Sequence, residues 1–271
     1  MIAITDIKER QNIALDILLF FKDFCSKNKI QFFLAYGTLL GAVRHKGFIP
    51  WDDDVDIMMT RAEYHRLLNS LDKMRHPYYK FLSMHNNELY FAPLAKLYDD
   101  RTLLIQEYGQ DEKVTYGIYV DVFIIDNLPD DYDLAKALYQ RSDRIRKKWA
   151  LSIRSIRAKS STLLRYLIRV PVSLMYKTIG YKHYLKKYDE FASSFENKDT
   201  KHAGVVIYGE GIKKEYFPID MFENPSEVSF EEVSFNAPSN VDYYLTQMYG
   251  DYMTIPPEKD RKMHPSKAFW K

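Results

Sequence analysis

Asp54 and Asp56 stand one residue apart at the head of a Val-Asp-Ile-Met-Met run, and a third acid, Asp121, lies far downstream between Val120 and Val122. Alternation along a strand turns Asp54, Asp56 and Met58 to one face and Val55, Ile57 and Met59 to the core. Two carboxylates on one face suit a hard divalent cation whose remaining positions are filled by phosphate oxygens, so Mg²⁺ is the expected metal, with Mn²⁺ as the alternative. From spacing alone, a solvated acidic turn fits Asp54 and Asp56 equally well, because Asp52 and Asp53 lie there too. Asp121 shifts that balance. A lone acid in an apolar, β-branched run rarely lacks a reason, and a third carboxylate completes a metal-plus-base arrangement that activates an attacking hydroxyl. The alternative for Asp121 is an acid paired with a lysine.

Upstream, Gly37-Thr38 and Gly41 let the backbone approach an anion closely, with Thr38 capping a short helix whose first amides face it. Arg44 is suited to clamp phosphate oxygens in bidentate fashion. Lys96 is a candidate to neutralise the same phosphate, although a lysine on a strand is more often merely solvated. Tyr36, Trp51, Tyr90, Tyr98, Tyr116 and Tyr119 flank these charges, either as a cage for a quaternary ammonium group or as ordinary core. His45 and His264 are ambiguous, and no histidine pair has zinc-ligand spacing.

These residues need elements to hold them. Apolar spacing predicts a helix from Thr5 to Lys27, a short strand from Gln31 to Tyr36, and a strand from Val55 with one face on the core. A helix over Arg61 to Met74 follows, then strands at Tyr79 to Phe81 and Tyr90 to Tyr98, with a turn at Asn86-Asn87 between them and Lys96 near the end of the second. Asp121 sits in a strand from Tyr116 to Ile125. Three helices come next, from Asp131 to Lys159, from Ser161, and from Tyr181 to Phe195. Short strands over Tyr216 to Val233, a helix over Val241 to Tyr249 and an extended tail to Lys271 complete the chain. The fold class is α/β of the α+β kind, a small mixed sheet flanked by helices. The boundaries divide a core at 1–130, a basic helical insert at 131–200 and a C-terminal segment at 201–271 that packs back on the core.

With 271 residues, 46% of them hydrophobic, the chain can bury a full core. Its single cysteine, Cys25, excludes an intramolecular disulfide, and no signal peptide or uncharged apolar run of about 18 to 20 residues appears, so a cytoplasmic setting is expected. The net charge of +2 hides an asymmetry. Arg141 to Tyr188 holds 14 Lys or Arg against one acid, Asp143, about +13, which leaves about −11 for the remainder. Trp149, Ile153, Ile156, Leu163, Leu164 and Leu167 recur near helical spacing among those cations, which favours an amphipathic face at an anionic membrane surface. A plain cationic surface is the alternative, and no nucleic-acid module is present.

The run Gly37-Thr-Leu-Leu-Gly-Ala-Val-Arg-His-Lys-Gly-Phe-Ile-Pro-Trp-Asp-Asp-Asp-Val-Asp56 resembles the LicD phosphocholine transferases, which are similar to the fukutin-related proteins and belong among the nucleotidyltransferase-fold enzymes. The likeness continues through Lys96 and Thr102, Val120-Asp-Val-Phe123, Tyr249-Gly-Asp-Tyr-Met253, Pro256-Pro257, Arg261 and His264. Thr38 stands where the wider superfamily has Ser or Gly, and the gap from turn to aspartates is longer than in polymerase-like members. The resemblance implies a nucleotidyltransferase-like core that transfers phosphocholine from CDP-choline to a sugar hydroxyl of a lipid-linked precursor of a cell-surface glycan, of teichoic acid or lipopolysaccharide type, with CMP leaving. It gives Asp54, Asp56 and Asp121 the metal and catalytic roles, and Gly37, Thr38, Arg44, Trp51, Lys96, Arg261 and His264 the substrate. Location at the inner face of the cell membrane follows. The competing readings are transfer of ribitol or glycerol phosphate by the same site, and a non-enzymatic membrane or glycan adaptor.

Overall fold

The computed structural model describes residues 1–106, 114–153, 163–261 and 266–271. The chain opens with β1 (Ile2–Ile4) and helix α1 (Ile7–Asn28), whose N-terminus is capped by the Asp6 carboxylate accepting from Lys8 N–H and whose C-terminus stops at Lys29 in a left-handed conformation. The helix buries the stripe Ile13, Ala14, Ile17, Leu18 and Phe21 that its spacing predicts, and it packs against the sheet that carries the acids. β2 (Phe33–Leu34), α2 (Tyr36–His45), β3 (Val55–Thr60) and α3 (Arg61–Leu68) follow. The first strand is thus shorter than predicted, because Tyr36 already begins α2.

β4 (Tyr79–Leu82), β5 (Ala95–Asp99), β6 (Thr102–Gln106) and β7 (Tyr119–Leu128) come next. The principal sheet runs β2-β3-β7-β5-β4, with β3 and β7 parallel and the other pairs antiparallel, so it is a mixed sheet. Lys96 is therefore the second residue of its strand rather than near its end. Val55, Ile57 and Met59 of β3 are fully buried, as expected of the core face, but Met58 is buried as well. A later helix covers that second face, with Tyr244 Oη 3.8 Å from Met58 Sδ. Asp56 shares Met58's side of the strand, so it lies under cover rather than in open solvent.

Helices α4 (Tyr132–Ile153), α5 (Leu163–Ile179) and α6 (Tyr181–Ala192) form the basic segment. Trp149 and Ile153 of α4 are buried, packed with Phe91, Tyr184 and Leu185. They face inward, which corrects the expectation that they lie on a membrane-facing stripe; Ile156 lies outside the described residues. α6 is locked to the sheet by Arg61, whose guanidinium makes two bonds to Asp126 of β7 at 2.8 and 3.1 Å and one to Asp189 of α6 at 2.6 Å.

The chain returns through β8 (His202–Val205), β9 (Phe217–Pro218), the hairpin β10 (Ser226–Phe230) and β11 (Val233–Ala237), α7 (Val241–Tyr249) and β12 (Ser266–Trp270). Ile125 of β7 pairs with Thr60 on one side and Val205 of β8 on the other, so β8 extends the edge that β5 leaves. The tail is not simply extended. β12 pairs with both β1 and β6 in a three-stranded sheet that ties the two chain ends together.

Candidate active site

Strand register decides the site. Asp56 on β3 lies directly opposite Asp121 on β7, and Asp121 lies directly opposite Lys96 on β5. Two acids and a lysine thus form a row across three neighbouring strands. Lys96 Nζ is 2.5 Å from Asp121 Oδ1 and 3.3 Å from the centroid of the Tyr119 ring, so the cation is fixed by both. Both readings of Asp121 meet here: it converges with Asp56 and it is paired with a lysine.

The row opens into a cavity of about 1230 Å³. Gly37, Asp54, Asp56, Lys96 and Asp121 line it, and so do Arg44, Trp51 and Arg261. His264 lies outside the described residues. Asp52, which the sequence places with the turn, lines the cavity too. Burial, and after it the neighbouring charge of Asp54, pushes the Asp52 carboxyl up to about 8. Burial followed by Asp54, Asp121 and Asp52 drives Asp56 well above the carboxylate range, with Lys96 opposing. Asp53 differs: its carboxylate is bonded at 2.8 Å to Arg10, which also reaches Ile4 O and Ser266, so it ties α1 to the site's edge.

Thr38 does not cap α2, whose N-cap is Ala35 without a side-chain bond. Its buried hydroxyl instead accepts from Asp56 N–H at 2.8 Å, fastening the helix to the acid-bearing strand. Thr38 is not among the cavity-lining residues, so it positions Asp56 from behind. A Cβ at Gly37 would stand 2.9 Å from Asp52 Oδ2, so a side chain there would displace that carboxylate. Before it, Tyr36 adopts φ +43 and donates its hydroxyl to Glu215 at 2.7 Å. Glu215 is itself buried, which pushes its carboxyl up to about 7 against the bonds from Tyr36, Glu210 N–H and Val205 N–H. Such a strained residue persists only where its surroundings hold it.

Arg44 and Arg261 do more than face the cavity. Arg44 donates to Tyr252 O at 2.9 Å and Thr254 O at 3.4 Å, pinning the segment after α7. Arg261 lies 4.4 Å from the centroid of the Trp51 ring and donates to Pro256 O. Of the six aromatic residues singled out in sequence, Tyr36, Trp51, Tyr116 and Tyr119 line the cavity, where Tyr116 and Tyr119 face Lys96 and Trp51 faces Arg261, while Tyr90 is buried and donates to Leu94 O.

Among the described residues no three His, Cys, Asp or Glu side chains stand as a ready-made metal cage. The donors that are present are carboxylate oxygens, and the repulsion among Asp54, Asp121, Asp52 and Asp56, which adds to burial in driving Asp56 upward, is what a hard dication would relieve, so the chemistry of the set fits such an ion.

Residues 29–127 match the family model described as LicD/FKTN/FKRP, nucleotidyltransferase domain. Over 262 residues, 95% of each chain, the protein is 32% identical to the lipopolysaccharide cholinephosphotransferase LicD of Haemophilus influenzae. The chain belongs to the LicD family. Shorter matches, 48% identical over 56 residues and covering 19% of this chain, link it to uncharacterized proteins of Rickettsia prowazekii and Rickettsia typhi, of which they cover 21% and 18%. The LicD-family match at 29–127 contains the whole row of Asp56, Asp121 and Lys96. Arg10, Glu215 and the α7 end of the cavity lie outside it.

Proposed function

We propose that this LicD-family protein transfers phosphocholine from CDP-choline to a sugar hydroxyl of a cell-surface glycan precursor, releasing CMP. The row of Asp56, Asp121 and Lys96 carries the reading, because it puts a carboxylate pair and a fixed cation in one cavity of a chain whose relative is named for cholinephosphotransfer to lipopolysaccharide. The sugar oxygen attacks phosphorus, the bond from phosphorus to the CMP oxygen breaks, and the hydroxyl proton passes to Asp121. Lys96 neutralises negative charge as it builds, with Arg44 lining the same cavity; phosphoryl transfer depends largely on such positioning and charge. Asp54 and Asp56, with Asp121 alongside, are the residues that would hold Mg²⁺ or Mn²⁺, which supplies charge neutralisation at the diphosphate.

The test is a donor comparison. CMP release with a glycan acceptor and Mg²⁺ should be at least tenfold faster from CDP-choline than from CDP-ribitol or CDP-glycerol. Faster release from a polyol donor would move the assignment to ribitol or glycerol phosphate transfer, and no release from any donor would leave an adaptor. Gly37→Ala should melt close to wild type, because only the end of the Asp52 side chain must give way, yet turnover should fall about tenfold as that carboxylate moves. Unchanged turnover would show that Asp52 has no part in the reaction.

The protein is further proposed to dock at the cytoplasmic face of an anionic membrane, where a lipid-linked precursor is presented. No helix among the described residues is long and apolar enough to cross a bilayer. On α5, Leu167, Leu174, Met175 and Ile179 are all about half exposed, and their spacing puts them on one side of the helix. Leu174→Glu with Met175→Glu should cut binding to phosphatidylglycerol-containing vesicles at least tenfold. Undiminished vesicle binding in that variant would remove α5 as the contact.

A further inference from the structure

The cavity is larger than one small ligand needs, since such sites usually run to about 300–1,000 Å³, and its lining is aromatic as well as charged. Its walls include Phe91, Trp149 and Tyr208. Trp149 is buried and oriented by donating Nε1–H to Phe91 O at 2.7 Å. Its ring meets Tyr208 edge to face, with centroids 5.9 Å apart at 79°. Tyr208 is the accessible member, 39% exposed.

Its backbone is unusual. Tyr208 sits at φ +64, a left-handed conformation disfavoured for an aromatic residue. The turn is tight: a Cβ at the following Gly209 would stand 1.9 Å from Val205 O. Tyr208 N–H donates to Tyr188 Oη of α6 at 3.2 Å, so the basic helices hold the turn in place. Folding thus maintains a strained residue whose ring is presented to a cavity, a pattern that points to use rather than to packing.

We propose that Tyr208, backed by Trp149, is the platform on which a pyranose ring of the acceptor glycan stacks, a proposal that rests on the transferase reading above. The apolar face of a sugar ring packs on an aromatic face, and the rigid ring presents that area at little entropic cost. Charge decides between the two substrates. Arg146 of α4, 5.8 Å from the Tyr208 ring centroid, is paired with Asp143, and Lys214 of the cavity wall with Glu210, so the charges beside the platform are already balanced, which suits a neutral sugar ring better than a quaternary ammonium group. The acceptor is accordingly held on the Tyr208 ring, and the donor diphosphate at the carboxylate row.

The experiment uses full-length protein and a panel of methyl pyranosides of glucose, galactose and their N-acetylamino counterparts, with binding read by saturation-transfer NMR. Wild type and Tyr208→Phe are expected to bind at least one of them. Tyr208→Gly should weaken that binding at least tenfold while melting no lower than wild type, because glycine relieves the left-handed backbone. CDP-choline affinity of the same variant, measured without acceptor, should change less than twofold. Binding of no pyranoside by wild type, equal binding by Tyr208→Gly, or a larger loss for CDP-choline than for the sugar would each overturn the proposal. CMP release by wild type is scored separately: its failure with every donor would remove the transferase reading, whatever the sugar titrations give.

Discussion

Asp56→Asn is expected to lower CMP release from CDP-choline by about a thousandfold while raising the melting temperature of the metal-free protein. Both effects come from one fact. Asp56 is buried in a row with Asp121 and near Asp54 and Asp52, so its charged form is disfavoured in the fold and its carboxyl is driven well up. A carboxyl raised in this way makes the native state take up protons that the unfolded chain releases, so at neutral pH ionised Asp56 costs stability. Asparagine removes that cost and keeps the backbone bond from Asp56 N–H to Thr38 Oγ1, but it takes away the charged carboxylate proposed to hold the metal. Melting curves in EDTA, set beside initial rates in Mg²⁺, measure the two together. Wild-type turnover in Asp56→Asn would contradict the role, and a lower melting point in EDTA would contradict the origin of the shift.

Arg61→Met should have the largest effect on folding. Arg61 is 3% exposed and is bonded to Asp126 and to Asp189, while His85 bonds the other Asp189 oxygen and Tyr64 bonds His85. Removing the guanidinium strands two acids, one of them, Asp126, fully enclosed and kept from rising further by Arg61 itself. Breaking a buried pair in this manner costs about 3–5 kcal/mol, or a fall in melting temperature of roughly 10 °C for a chain of this size. Because the same guanidinium joins α3 and β7 to α6, the insert should loosen first, seen as faster hydrogen exchange in α6 than in α1. Arg61→Met combined with Asp126→Leu should recover much of the loss, since an apolar pair replaces a lone buried charge. A single variant that melts like wild type would show that the network carries no net stability.

Much of the site was legible because its signals are local. Acids at alternating positions after Pro50-Trp51, a lone acid within Val-Asp-Val, and the apolar stripe of α1 are each readable within a few residues, and the helix expected over Val241 to Tyr249 is α7 with the same bounds. Pairing is different. Nothing in the spacing says that Lys96, rather than a neighbour, lies opposite Asp121, because register is fixed by which faces the whole sheet buries. Thr38 reads as a cap from sequence, since Ser and Thr cap helices, but β3 folds close enough to claim its hydroxyl. β1, β6 and β12 escaped notice because short strands joining distant parts of a chain carry little pattern of their own. Trp149 shows the same limit in a helix. Its periodic spacing marked a face, but only packing against Phe91 and Tyr184 shows that the face points into the protein.

The central claim is that the row of Asp56, Asp121 and Lys96 moves phosphocholine onto a glycan. The most direct measurement is mass spectrometry of lipopolysaccharide incubated with the protein, CDP-choline and Mg²⁺, with CMP quantified in the same reaction. A phosphocholine-sized gain on the glycan, matched mole for mole by CMP and lost in both EDTA and Asp56→Asn, is the predicted result. An unchanged glycan, or a gain that persists in Asp56→Asn, would contradict it.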